Sequence, residues 1–249
     1  VFCLKGGGAL QIAGMISLSL QDYPGKLACV LFTPGCQLRC PFCHNSELAL
    51  ADLKGQMPDG TFIDSVDKAK VFDFLNKRKN VLEAVVISGG EPTLQPGLPD
   101  FLRQLRQFPY LLKMDTNGFN PKVLKELLDE NLLDYVAMDL KNRPLNYALT
   151  AGIPSFQPQP ILESMKLIQE SGIDHEFRTT VVKELHSLED LIGLKEWPIA
   201  DSPLVLQTFR DGPTVMEKGF NPYTDEEMGA FLKELKGQIK NVSWRSENE

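Results

Sequence analysis

The sequence predicts an α/β fold built on a parallel sheet. Short, continuously apolar runs of strand length recur along the chain, and most are followed by a segment whose apolar residues repeat every three or four positions. This alternation occurs about six times, with no linker or low-complexity segment between the units. Continuous apolar runs suit strands covered on both faces. Strands alternating with helices imply right-handed crossovers in one sheet. A closed eight-fold barrel typically takes about 250 residues, and only about six units are legible. The economical reading is therefore an open, partial (β/α)6 barrel in one domain over residues 1–249. Its core covers about 12–210, and 211–249 form a helical extension.

The elements follow in order. Residues 9 to 23 read as a short extended segment, closed by the turn Pro24-Gly25. Leu27 to Thr33 is the first buried strand and ends at Pro34-Gly35. Residues 46 to 63 read as loop, with Gly55, Pro58 and Gly60. Val66, Ala69, Phe72 and Leu75 recur every third residue and predict a helix ending near Arg78. Ala84 to Ser88 is the second strand, and Leu98, Phe101, Leu102, Leu105 and Phe108 make the next helical face. Leu111 to Thr116 is the third strand. Asn120 offers an N-cap, with Pro121 at the first helical position. Val123, Leu124, Leu127 and Leu128 form that helix's stripe. Tyr135 to Leu140 is the fourth strand. A proline-interrupted loop leads to a helix through Ile161, Leu162, Met165 and Ile168, stopped by Gly172. Glu176 to Val182 is the fifth strand, and Ser187 with Asp190 makes a capping box. Leu204 to Phe209 is the sixth strand. Thr224 and Glu227 cap a last helix towards Ile239.

Composition narrows the class. A net charge of −7 argues against an extended nucleic-acid face, and no run of 18 apolar residues suggests a membrane span. The first residues lack the long apolar region of a signal peptide. A cytoplasmic protein is expected. Of five cysteines, three lie within eight residues, which is not the spread of a secreted disulfide scaffold. Cys29 is expected to be a buried, inert thiol and Cys3 to lie in a mobile tail. Positions 44 to 249 hold no cysteine.

In parallel α/β folds chemistry gathers where strands end. Polar or glycine-rich punctuation follows each strand here: Cys36 to Cys43, Gly89-Gly90-Glu91, Asp115-Thr116-Asn117-Gly118 and Asp139-Leu140-Lys141. Arg178 lies within the fifth strand, and Gln207 and Arg210 lie at the sixth. All would face one rim.

Four readings compete for Cys36, Cys40, Cys43 and His44. Structural zinc wants four ligands, and a second CxxC pair is missing. Cys40 to His44 matches the haem-attachment pattern CxxCH, but that requires export and leaves Cys36 without a purpose. A thioredoxin-like redox pair also leaves Cys36 unexplained. An iron–sulfur cluster uses all three thiolates and leaves one iron open for a small molecule. An open position is what a catalytic metal site keeps.

CxxxCxxC with Phe42 before the third cysteine resembles the radical S-adenosylmethionine (SAM) superfamily. His44-Asn45, giving CHN, resembles the subgroup that activates glycyl-radical enzymes. Asp22 to Lys26 (DYPGK), Val85 to Gln95 (VVISGGEPTLQ) and Met114 to Phe119 (MDTNGF) look most like the activating proteins of anaerobic ribonucleoside-triphosphate reductase. The resemblance runs from about residue 12 to 210.

The resemblance implies the radical SAM type of partial barrel, and a [4Fe–4S] cluster ligated by Cys36, Cys40 and Cys43. SAM's amino and carboxylate groups would chelate the fourth iron. The backbone of Gly89, Gly90 and Glu91 at the strand end would meet the methionine amino group. Asp115, Asn117, Asp139 and Lys141 match positions that hold SAM, with a monovalent cation as a further candidate. Arg178 matches an arginine near SAM, and Phe42 and His44 match residues lining the adenine. The implied reaction is reductive cleavage of SAM to a 5′-deoxyadenosyl radical, which takes hydrogen from a glycine Cα in a partner reductase. Glycine suits this because no side chain shields its Cα. A flavodoxin or ferredoxin-type donor would supply the electron. The alternative is a small-molecule substrate, as in 7-carboxy-7-deazaguanine synthase-like members. Sister activases carry a histidine near the sixth strand where this chain has Leu206 to Arg210, so no ribose contact is assigned there. His175 and His186 are assigned ordinary structural roles.

Overall fold

A computed structural model describes residues 10–199 and 201–246. Cys3 and residue 9 lie outside the described residues. One eight-stranded sheet runs in chain order from β1 to β8. The strands are β1 (Gly14–Ser19), β2 (Ala28–Thr33), β3 (Ala84–Gly89), β4 (Leu111–Thr116), β5 (Tyr135–Asp139), β6 (Asp174–Val181), β7 (Leu204–Thr208) and β8 (Val242–Arg245). β1 pairs antiparallel with β2, and every later pairing is parallel. β1 and β8 are the two ends of the order and do not pair with each other, so the sheet is an open barrel.

The helices are α1 (Ser46–Leu50), α2 (Lys68–Arg78), α3 (Leu98–Leu105), α4 (Pro121–Asp129), α5 (Tyr147–Ala151), α6 (Gln159–Ser171), α7 (Leu188–Gly193) and α8 (Asp225–Leu235). Helical side chains such as Leu75, Leu102, Leu127 and Met165 share one core with strand residues Leu31, Ile87, Met114 and Met138. The alternate strand positions make a second cluster of mostly small residues: Ala28, Val30, Ala84, Val86 and Ala137, with Tyr23 and Tyr135. Side chains two apart share a face. The face that carries Leu111 therefore continues to Lys113 and Asp115, and the face that carries Tyr135 and Ala137 continues to Asp139. Arg178 pairs in register with Asp139 and joins them.

Caps agree with the sequence at three helix ends. Ser187–Asp190 and Thr224–Glu227 both form reciprocal capping boxes, and Gly172 ends α6 in the left-handed region at φ 75. Asn120 precedes Pro121, but its side chain does not cap α4. Its amide nitrogen donates instead to the Thr93 carbonyl at 2.8 Å, tying the start of α4 to the turn after β3.

Three segments differ from expectation. Residues 46–63 contain α1 and an isolated bridge between Gln56 and Phe62. The proline-interrupted segment contains α5. Beyond 210, α8 ends at Leu235, short of Ile239, and the chain then adds β8 to the sheet. The extended segment near the start forms β1, in agreement with the sequence. Neither edge strand has a continuous apolar run. They are fixed by pairing with β2 and β7, and Trp244 adds a side-chain bond to Thr208 at 2.9 Å.

Candidate active site

The carboxyl ends of the parallel strands open into one cleft with about 850 Å³ of empty space. Every candidate residue from the sequence lines it: Cys36, Cys40, Phe42, Cys43, His44, Gly89, Gly90, Glu91, Asp115, Asn117, Asp139, Lys141 and Arg178. The topology explains the convergence, because each residue sits at or just past the end of a parallel strand.

The cysteine loop is held from three sides. Gly35 N–H donates to the Leu48 carbonyl at 2.7 Å, and Arg39 N–H donates to the Ala151 carbonyl at 3.0 Å. The Cys43 and Pro41 carbonyls accept from Met216 and Glu217 at 3.0 and 2.8 Å. All three cysteines are free thiols, as is Cys29. Burial pushes the Cys36 thiol up to about 12 and the Cys40 thiol up to about 11, and it raises Cys43 as well. Deprotonating them therefore requires a positive partner such as iron. Cys36 Sγ accepts from Leu38 N–H at 3.4 Å and from Asn117 Nδ2 at 3.7 Å. Among the described residues no three His, Cys, Asp or Glu side chains converge on a single metal position. A mononuclear zinc site needs such convergence, whereas a four-iron cluster places each thiolate on a different iron.

Across the cleft runs a chain of charges. Lys113 Nζ donates to Asp115 Oδ1 at 2.6 Å, and Arg178 reaches the same oxygen at 3.3 Å. Arg178 Nε donates to Asp139 Oδ1 at 3.0 Å, and Lys141 Nζ donates to Asp139 Oδ2 at 3.0 Å. Burial pushes the Asp139 carboxyl up, but Arg178 and Lys141 outweigh it and hold it down at about 2. Asp115 is likewise lowered, because Arg178 and Lys113 overcome its burial. Burial disfavours the charged forms of Lys141 and Arg178, and the two carboxylates more than reverse this. Lys113, Lys141 and Arg178 together oppose Asp115 and Asp139, and of the three cations Lys141 and Arg178 line the cleft.

Glu91 is fully buried. Its oxygens accept from Thr93 N–H at 3.1 Å, Thr93 Oγ1 at 2.5 Å, Thr116 Oγ1 at 2.8 Å and Asn117 N–H at 2.7 Å. Burial raises its pKa against these four donors. Its carboxylate therefore ties the end of β3 to the end of β4, and the cleft side of this motif is the backbone of Gly89 and Gly90. Gly89 sits at φ 119, and a Cβ there would lie 2.4 Å from Thr33 backbone atoms. A Cβ on Gly90 would lie 2.2 Å from the Gly35 carbonyl oxygen, next to Cys36. Gly90→Ala should lower stability by about 2–3 kcal/mol, the upper range for overpacking. Gly212→Ala, with nothing within 4 Å of the added carbon, should match the parent in the same denaturation experiment. An unchanged midpoint for Gly90→Ala would show that the turn can relax.

The opposite wall is aromatic. Phe42 is edge-on to Phe209 and His186 at 6.5 and 6.4 Å between centroids. His44 packs beside Phe209 at 5.3 Å, and its Nε2 is hydrogen-bonded to the Arg210 carbonyl. Asn45 Nδ2 donates to the Gly89 carbonyl at 3.2 Å. His44-Asn45 thus bridges the cysteine loop, the segment after β7 and the end of β3.

Sequence reasoning missed three contributors. Lys113 is a buried lysine in an apolar strand, and its two-residue spacing from Asp115 was a readable signal. Thr116 holds Glu91. His186 is buried, accepts from Val182 N–H through Nδ1 at 3.1 Å and shares a 2.8 Å hydrogen bond between Nε2 and the Lys141 carbonyl. Burial lowers its pKa, so the ring is a neutral brace between Lys141 and Phe42. Nothing local in the sequence marks it. Arg178 lines the cleft.

The Radical SAM superfamily model matches residues 30–194. The chain belongs to the radical SAM superfamily. Curated relatives include an inferred glycyl-radical enzyme activating enzyme of Methanocaldococcus jannaschii, 34% identical over 184 residues and covering 72% of each chain. A pyruvate formate-lyase-activating enzyme of Clostridium pasteurianum is 30% identical, over 53% of this chain and 52% of that one. Among solved structures, a radical SAM methyltransferase from Sphaerobacter thermophilus superposes with a TM-score of 0.67 at 14% identity, over 92% of this chain and 68% of that one. Streptococcus suis SuiB bound to its precursor peptide SuiA gives 0.65 at 17%, with 87% and 48% covered. This chain therefore spans about half the length of SuiB. These two likenesses concern the fold.

A radical SAM protein requires an iron–sulfur cluster and SAM, and the residues present fit both. Three free thiols lining one cleft, with N–H donors on one sulfur, suit a cluster with an open iron. The Lys141 and Arg178 cations and the glycine backbone suit an amino acid moiety, and the Phe42–His44 wall suits an adenine. Among the described residues no helix is long and apolar enough to cross a membrane.

Proposed function

We propose that this radical SAM protein activates a glycyl-radical enzyme, with an anaerobic ribonucleoside-triphosphate reductase as the partner class. The observation that carries the reading is the open side of the site. The cleft continues through His44, Arg178 and Thr180 into a second hollow bounded by Leu20 to Gly25 and by Gln207, Arg210 and Arg245. This leaves room for a polypeptide segment to approach the reacting centre. The DYPGK turn forms part of that wall. The likeness to activating enzymes supports the same reading.

The bound cluster and SAM supply the radical chemistry. The chain's own residues would bind, orient and exclude water: Cys36, Cys40 and Cys43 would hold the cluster, Lys141 and Arg178 would meet the carboxylate, Gly89 and Gly90 the amino group, and Phe42 and His44 the adenine. A monovalent cation would compete with Arg178, Lys113 and Lys141 for the oxygens of Asp115 and Asp139. A flavodoxin or ferredoxin-type protein is the proposed donor.

The test is anaerobic. Reduced, reconstituted protein is mixed with SAM and a candidate reductase, and a glycyl-radical EPR doublet should appear. SAM cleavage without a doublet would favour a small-molecule substrate, a reading to which the Arg178, Arg210 and Arg245 side of the second hollow lends itself as an anion-binding wall.

A further inference from the structure

Cys36 differs from the other two cysteines of the loop in what touches its sulfur. Besides the Leu38 N–H at 3.4 Å, the side-chain amide of Asn117 reaches it, with Nδ2 at 3.7 Å from Sγ. Among the described residues, Cys36 is the only one of the three whose sulfur accepts from a side chain. The contact joins the loop after β2 to the end of β4.

The two ends of an asparagine amide have nearly the same shape, so the hydrogen-bond network must say which end faces the sulfur. Asn117 Oδ1 accepts from the Phe119 backbone N–H at 3.1 Å and from Gln37 Nε2 at 3.0 Å. A backbone N–H can only donate, so the atom it meets is the oxygen. The nitrogen is therefore the atom turned to Cys36. Asn117 is also fixed at its backbone, where its N–H donates to Glu91 Oε2 at 2.7 Å. Gly118 follows at φ 75, and a Cβ there would lie 2.1 Å from Met138 Cε, so the turn is packed against β5.

Asn117 is buried, and a buried amide N–H needs an acceptor. A neutral thiol is a weak one. A thiolate is much better, because hydrogen bonds to an ionised partner are roughly twice as strong as neutral ones. The arrangement thus suits Cys36 as a ligand thiolate. It is a different duty from the contact to SAM that the resemblance implies for Asn117.

We propose that Asn117 donates a hydrogen bond to the Cys36 thiolate of the assembled cluster and thereby raises the cluster's reduction potential. The inference rests on the cluster being held at Cys36, Cys40 and Cys43, and not on the identity of the partner. The reduced cluster carries one more negative charge, shared with its ligand sulfurs, so a donor at a sulfur favours the reduced form over the oxidised one. Hydrogen bonds to the sulfurs are among the factors that set such potentials. Asn117 is a positioning residue that acts through Cys36, and Gln37 and the Phe119 N–H hold its amide for that purpose.

The test compares the parent, Asn117→Ala and Asn117→Asp after anaerobic reconstitution, by iron and sulfide content and EPR-monitored redox titration. SAM is left out, so a contact between Asn117 and SAM contributes nothing. Alanine deletes the donor. Aspartate keeps an oxygen for Phe119 and Gln37 and places an anion where the donor stood. Both variants should assemble a full cluster with a lower midpoint. For alanine, the reduced-to-oxidised ratio at a fixed potential should fall about tenfold, which is about 59 mV for a one-electron couple. For aspartate it should fall further. A role confined to shaping the turn would leave the aspartate midpoint at the parent's value. That result, or a parental midpoint in the alanine variant, would overturn the proposal. Failure of both variants to assemble a cluster would overturn it too, since the amide would then serve assembly. A parent protein that binds no iron would sink the cluster assignment itself, a distinct failure.

Discussion

Cys40→Ala abolishes both cluster assembly and SAM cleavage. Removing a partner from a metal's outer shell already costs about 10–100-fold, so loss of one of three thiolates should exceed 100-fold in cleavage. Iron and sulfide content should fall in parallel. The substitution removes a buried sulfur while leaving the loop's backbone bonds to Ala151, Met216 and Glu217 in place. The apoprotein should therefore fold, and the defect should be confined to the cofactor. Cys29→Ala is the matching control. Cys29 is also a buried free thiol, but it does not line the cleft, so it should keep its iron. Retained SAM cleavage by Cys40→Ala would refute the ligand assignment.

Arg178→Met carries the largest expected stability cost. The arginine holds both Asp115 and Asp139, and removing one partner of a buried ion pair costs about 3–5 kcal/mol. Asp115 keeps 14% of its side chain exposed and Asp139 keeps 29%. Water offsets part of the penalty at Asp139, so the lower end, about 3 kcal/mol, is expected from denaturant titration at neutral pH. The pH dependence has a definite sign. Asp139 is held down at about 2 in the folded chain, against about 3.9 for a free side chain. Its stabilising contribution is complete above the unfolded value and is lost as pH falls through about 2. With the arginine gone, acid should destabilise the variant less than the parent. A variant that keeps the parent's full acid sensitivity would show that Lys141 and Lys113 alone hold the two carboxylates. SAM affinity should fall too, because the cleft loses one of the two cations that line it.

The spacing of Cys36, Cys40 and Cys43 carried the cofactor before any coordinates, because three thiolates in one loop allow few other chemistries. Strand ends were legible for a similar reason. Apolar runs of strand length stop abruptly at Gly89, Thr116 and Asp139, and a parallel sheet places those stops on one rim. Roles within the rim were less legible. Glu91 is read as part of a motif whose backbone meets the ligand, and only the structure shows what its carboxylate does: it holds Thr93, Thr116 and Asn117. Asn120 reads as a cap, and it serves the turn after β3 instead. In both cases the side chain chose a distant donor or acceptor over a local one, and local pattern cannot express such a choice.

By itself, then, the sequence determined the alternation of strands and helices, the incomplete thiolate set and the residues collected at the rim. Each of these follows from spacing along the chain. Tertiary structure decided which way each rim residue faces, the antiparallel β1 and the late β8 at the open edges, the bracing of Lys141 by His186, and the packing of the end of α5 against Arg39 of the cysteine loop. These depend on which surfaces are brought together from positions tens of residues apart. Burial then fixes the energy of every polar group among them, and a linear spacing rule carries no information about that.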